Sequence, residues 1–303
     1  VTKCWPTDTL MAGSIRARFK FNVALRETIL ILIFTGVIVV PAVAQTPKWK
    51  TFLAEGDTLY KQEKISAAIK AYTKSIDAGK LKEKDCYSAL YKRAICYYSI
   101  GEFNKALKDL QAFIPMFPEA PRPRLLQAFI YRELEDEDNQ LNSLTEAIDL
   151  HLVNSDLLKW RGTLFFHKED FINAKKDFLL ARDLEDEAYV ETFIGLCEYN
   201  LENLDSAFIS FNKSIELDPM YIPAYLYAGS IALENGNSEW GLKYLNLALR
   251  LDPKNKEALF YKGAALVELD RVDEGCSCLN RAFYAGMDEA GDYLKEYCFV
   301  VED

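Results

Sequence analysis

The segment Glu191–Pro219 carries Gly195, Tyr199, Ala207, Phe211 and Ser214 and closes on Leu217-Asp218-Pro219. Thirty-four residues later the pattern returns as Gly229, Gly241, Leu245, Ala248 and Leu251-Asp252-Pro253, and then again as Gly263, Gly275, Leu279 and Ala282. Each copy reads as two short amphipathic helices joined by a polar turn. One such pair cannot bury its apolar face alone, so a period of this length predicts an all-α solenoid in which neighbouring copies complete each other's core.

With Gly195 set as position 8 of a unit, the equivalent residues are Gly56, Ala94, Ala128, Gly162, Gly195, Gly229 and Gly263. Position 20 reads Ala68, Ala106, Gln140, Ala174, Ala207, Gly241 and Gly275, and position 24 reads Tyr72, Leu110, Leu144, Phe178, Phe211, Leu245 and Leu279. Positions 20 and 24 share a face of the second helix. Small residues at 8 and 20 are expected to let the paired helices approach closely. Pro118, Pro219 and Pro253 follow second helices, where proline cannot extend the ladder. The expected units are about 49–79, 87–120, 121–154, 155–187, 188–221, 222–255 and 256–285, with Lys80–Asp85 as a charged linker between the first two. The third is the weakest, having Gln140 at position 20 and no closing proline. In 286–303, Asp288–Phe299 has the spacing of a solitary helix that would cap the array, followed by a short tail.

Composition matters most at the N-terminus. Residues 1–44 carry +3, and subtracting this from the chain's −10 leaves −13 for the body, which argues against a nucleic-acid partner. The basic head precedes the uncharged run Thr28–Ala44, ending in Ala42-Val43-Ala44. This is the pattern of a signal peptide cleaved after Ala44. The alternative is a retained anchor that associates with a membrane, since the run has the minimal length of a span. Either reading places the body outside the cytosol, most simply in a periplasm. Six cysteines follow the run. A Cys278–Cys298 bridge is one expectation if the last helix folds back, and buried free thiols are the other.

Small at 8 and 20, large or aromatic at 11 and 24, Ala or Ser at 27 and Pro at 32 resembles the tetratricopeptide repeat, over about Trp49–Ala285. The resemblance implies a right-handed superhelix of about seven helix pairs whose first helices line a concave groove. It also implies a non-enzymatic adaptor that holds a protein or peptide segment, placed by its exported character in the assembly or maintenance of a cell-envelope complex. The runner-up is a structural component that self-associates into homo-oligomers through helix edges, with the groove empty.

On the first helices, positions 4, 8 and 11 form the packed stripe, and 2, 6, 9 and 13 lie opposite. Position 6 reads Ala54, Lys92, Leu126, Trp160, Phe193, Tyr227 and Tyr261, so four successive units place an aromatic ring on the expected groove wall. Phe166 and Tyr199 at position 12 border that strip, and Lys159 and His167 are candidate donors beside it. Lys92 and Arg122 form a candidate basic end. Rings in such a row give large contact area at small entropic cost. The alternatives are that they pack between neighbouring first helices or form a surface for self-association. The carboxylate clamp of chaperone-binding family members is not matched, since Leu53 and Asp57 stand in the first unit and Leu126 in the third. His151 and His167 make no metal-ligand spacing, and no phosphate loop, dithiol motif or nucleophile elbow is present, so no catalytic residue, metal or cofactor is expected.

Overall fold

The computed structural model describes residues 46–80 and 84–298. The basic head, Thr28–Ala44, the tail Val300–Asp303 and residues 81–83 of the linker lie outside the described residues. From Lys48 onward the chain is a succession of antiparallel helix pairs: α1 Lys48–Lys61 with α2 Ile65–Gly79, α3 Ser88–Ser99 with α4 Phe103–Phe113, α5 Pro121–Glu133 with α6 Glu137–Asp149, and α7 Ser155–His167 with α8 Phe171–Leu184. The later pairs are α9 Ala188–Asn200 with α10 Leu204–Leu217, α11 Ile222–Glu234 with α12 Ser238–Leu251, and α13 Lys256–Glu268 with α14 Val272–Tyr284. Each second helix also packs on the first helix of the next pair.

The repeated columns explain the pairing. Position 24 inserts into the space left by the small residue at position 8: a Cβ added to Gly195 would stand 2.7 Å from the Phe211 ring, and one on Gly263 2.7 Å from Leu279. Position 20 is closed in by side chain and backbone together, since a Cβ on Gly275 would stand 2.7 Å from Val267 Cγ2 and 2.8 Å from the Gly263 carbonyl oxygen. Phe178 and Phe211 are thereby fully buried. Burial of each such ring stabilises by about 1.5–3 kcal/mol relative to exposure.

The turn inside each pair has one construction throughout. Position 15 adopts a left-handed backbone in all seven described units, at Glu63, Gly101, Glu135, Glu169, Glu202, Gly236 and Asp270. The amide of the following residue donates to the carbonyl five positions back, as from Asn203 to Glu198 at 2.8 Å and from Arg271 to Leu266 at 2.8 Å. These bonds satisfy the last carbonyls of the first helix. The next helix is then capped by Asp136, Asp170 or Asn237 in three of the units.

After α14, helix α15 spans Glu289–Tyr293 and continues as one wide turn over Leu294–Cys298. Ala290 and Leu294 bury against Leu259, Leu279 and Ala282, so this segment covers the last pair. The expected Cys278–Cys298 bridge does not form. Cys276 pairs with Cys298, while Cys278 is a buried free thiol. The reason is helical register: Cys278 faces into its own pair and is 7% exposed, whereas Cys276, two residues earlier, points along the side that meets the cap. Among the remaining free cysteines, burial pushes the Cys96 thiol up to about 11 and that of Cys197 to about 12, so both stay protonated and unreactive.

Candidate binding groove

First helices of successive units touch, α3 with α5, α9 with α11 and α11 with α13, and side chains bridge the others, Lys92 to Asp57, Trp160 to Phe129 and Phe166 to Phe193, so that they form one wall. The singled-out residues occupy four different environments on it.

In the middle, Trp160 is half-buried and stacks on Phe129 of the preceding first helix, with centroids 5.1 Å apart and planes at 28°. The Arg132 guanidinium lies 5.2 Å from each of these ring centres. Lys159 beside it is 2.8 Å from Glu187 and 3.0 Å from Asp156, so its charge is compensated. His167 is exposed at the end of α7.

At the junction of the fourth and fifth units, Phe193 stacks on Phe178 at 4.9 Å and meets Tyr189 at 4.7 Å. Phe166 approaches its edge at 5.5 Å and also contacts Phe171 at 5.3 Å. These rings face one another within the seam.

Farther along, Tyr199, Tyr227 and Tyr261 stand on three consecutive first helices. Tyr227 is 40% exposed, the largest opening among the four position-6 aromatics. Tyr261 rests one side on the apolar cluster around Tyr225 and Tyr244. Burial raises its phenol pKa, and the nearby carboxylates Glu234, Glu257 and Glu289 add to the shift. Tyr199 donates its hydroxyl to Glu234 of the next unit, which holds that phenol above its usual range as well.

At the other end, Lys92 is 2.6 Å from Asp57, which also accepts the Tyr72 hydroxyl at 2.9 Å. These residues and Tyr60, Lys61 and Ile95 line a cavity of about 260 Å³. Arg122 is exposed.

The sequence reading passed over Phe129, Arg132, Glu234 and Glu257. Position 9 lies on the groove side of the first helix, which makes Phe129 recoverable. Glu234 at position 13 was likewise within reach, but a lone carboxylate in an acidic chain carries no distinguishing signal.

Known proteins share this architecture. A tetratricopeptide-repeat family model matches residues 53–121 and 226–283. The DnaJ homolog subfamily C member 7 homolog of Schizosaccharomyces pombe is 28% identical over 261 residues, which are 74% of this chain and 54% of that protein. The chain spans about half the length, or less, of the curated relatives it matches. Among solved structures, the C-terminal part of a TPR repeat-containing protein from Cytophaga hutchinsonii aligns with a TM-score of 0.60 at 18% identity, covering 80% of this chain and 99% of that one. YrrB, described as a TPR protein with an unusual peptide-binding site, gives 0.54 at 24% identity over 62% of this chain and 96% of its own. At such identities the likeness is one of fold.

Proposed function

We infer that the chain, which a tetratricopeptide-repeat model matches over residues 53–121 and 226–283 and which folds as stacked helix pairs, is a non-catalytic, extracytoplasmic adaptor of that repeat type. It holds a protein segment against the wall of first helices and helps assemble or maintain a cell-envelope complex. The observation that carries this reading is the row Tyr199, Tyr227 and Tyr261 on consecutive first helices, with Tyr227 left open to solvent. Trp160 and the Phe166–Phe193 pair support the row from within the wall, and Lys159, His167, Lys92 and Arg122 lie along its length. Residence outside the cytosol, in a periplasm or tethered to a membrane through residues 28–44, is supported by the basic head with its apolar run and by the Cys276–Cys298 bridge, since such bridges persist in oxidising compartments. No helix of the described residues is long and apolar enough to cross a membrane.

Affinity capture with the full chain, followed by binding measurements on the captured protein, tests this. Tyr227→Ala with Tyr261→Ala should weaken binding by about tenfold or more while helicity is preserved, as loss of central aromatic contacts does. Unchanged affinity removes the groove reading.

A second reading, self-association with an empty groove, is favoured by apolar side chains exposed on the second helices: Ile172 at 70%, Ile209 at 69% and Trp240 at 49%. Sedimentation at two concentrations separates the two, because an oligomer stable to dilution supports the second.

A further inference from the structure

The wall changes electrostatic character along its length. In the first four units Lys92 is paired with Asp57, Arg132 with Glu133, and Lys159 with Asp156 and Glu187, while Arg122 adds an exposed positive charge. In the last three, Glu234 and Glu257 have no cationic partner within ion-pair distance among the described residues. Glu234 is held by the Tyr199 hydroxyl, which fixes it without neutralising it. The one lysine at the start of α13, Lys256, turns instead to the Gly286 carbonyl at 3.3 Å. Glu289 adds a third carboxylate close to Tyr261. Fixed negative charge therefore stands beside Tyr199 and Tyr261, the two rings that flank the open Tyr227.

We propose that the segment held by the fifth to seventh units is a lysine- or arginine-bearing stretch of a partner protein, bound extended across the helices. This rests on the groove reading above and deepens it. A cation over a tyrosine face meets the negative side of the ring, and a carboxylate beside it completes the charge. Adjacent packed helices stand about 8–10 Å apart, a distance that an extended chain covers in about three residues. The preferred segment thus carries basic residues about three apart, one for each of Glu234 and Glu257, which stand on adjacent first helices. Negative potential over the same wall speeds encounter with such a partner and excludes acidic tails.

The test is selection of a random linear peptide library on the full chain, with affinities of the recovered peptides measured at low and at physiological salt. Three proteins are compared: the wild type, a Glu234→Gln/Glu257→Gln variant and a Tyr227→Ala/Tyr261→Ala variant, each checked for unchanged helicity. The expected result is recovered sequences enriched in Lys and Arg at that spacing, bound about tenfold more weakly by the carboxamide variant and at higher salt. Recovered peptides that need the tyrosines but lack basic residues, or basic peptides indifferent to the carboxamide variant, overturn this proposal and leave the groove reading standing. Peptides indifferent to the tyrosines overturn both.

Discussion

Arg161 and Asp177 are joined by two parallel bonds, Nε to Oδ2 and Nη2 to Oδ1, each 2.7 Å, in the interior of the fourth helix pair. The second pair repeats the arrangement with Arg93 and Asp109 at the same two positions, again at 2.7 Å. Both carboxylates are almost completely withdrawn from water, with side chains 2% and 7% exposed. A planar guanidinium is the group that satisfies such an acid from one direction.

Arg161→Ala should therefore destabilise by about 3–5 kcal/mol, because it abandons a buried charge, whereas replacing both partners with apolar residues of similar volume should be far milder. Chemical denaturation of the single and double variants measures the difference. A small loss in the single variant would mean that Asp177 finds water.

The left-handed turns make a second prediction. Five of the seven position-15 residues in the pairs carry a side chain in a backbone region where an L-residue is disfavoured by about 1–2 kcal/mol. Glu202→Gly and Asp270→Gly should each raise stability by about 0.5–1 kcal/mol, less than the full relief because glycine also loosens the unfolded chain. Gly236→Glu should lower it by a similar amount. Thermal melts of the three variants settle the sign.

Trp160 and Tyr227 should respond unequally to removal. Trp160→Ala deletes the stack on Phe129 and the Arg132 contact and should cost about 2 kcal/mol of stability. Tyr227→Ala, at an open site, should stay within about 0.5 kcal/mol. Equal losses in urea titration would place Tyr227 in the packing.

High pH should weaken the fold from about pH 9 upward. In the unfolded chain the thiols of Cys96 and Cys197 ionise near 9, but in the folded chain burial holds them protonated to about 11 and about 12. Between those limits the unfolded state has released protons that the folded state keeps, so stability falls as pH rises. Lys213, raised by its bond to Glu191, acts in the same direction above its own unfolded value. Urea midpoints measured across this range should decline, and the decline should be shallower in a Cys96→Ala/Cys197→Ala variant.

Removal of the Cys276–Cys298 bridge should act locally. The two residues are 22 apart, a separation for which closing the loop is worth about 3 kcal/mol. In Cys276→Ser, amide protection should fall over residues 289–298 and remain unchanged in the first four units, as read by hydrogen exchange. Cys278→Ser leaves the bridge intact and should not produce that pattern.

The columns at positions 8, 20 and 24 were legible because volume at a fixed spacing is written directly in residue type: Gly195 and Phe211 announce their fit without coordinates. The turn was only half legible, since Gly101 and Gly236 reveal a left-handed position that Glu202 and Asp270 conceal. Arg161 and Asp177 lie on different helices of a chain that is 27% charged, so nothing in the string separates them from solvent-facing charges. The aromatic row was visible as a list, but its division into the seam rings Phe166 and Phe193 and the open ring Tyr227 depends on how each side chain leans toward the next unit, which spacing does not encode.

Ala290 and Leu294 lie where the first helix of an eighth pair would begin, and a covalent bond holds them there. A further pair stacked on α14 would have to displace this segment and break the bridge, whereas a unit inserted between existing pairs finds neighbours on both of its faces. The bridge thus acts as a latch on the last open face of the array.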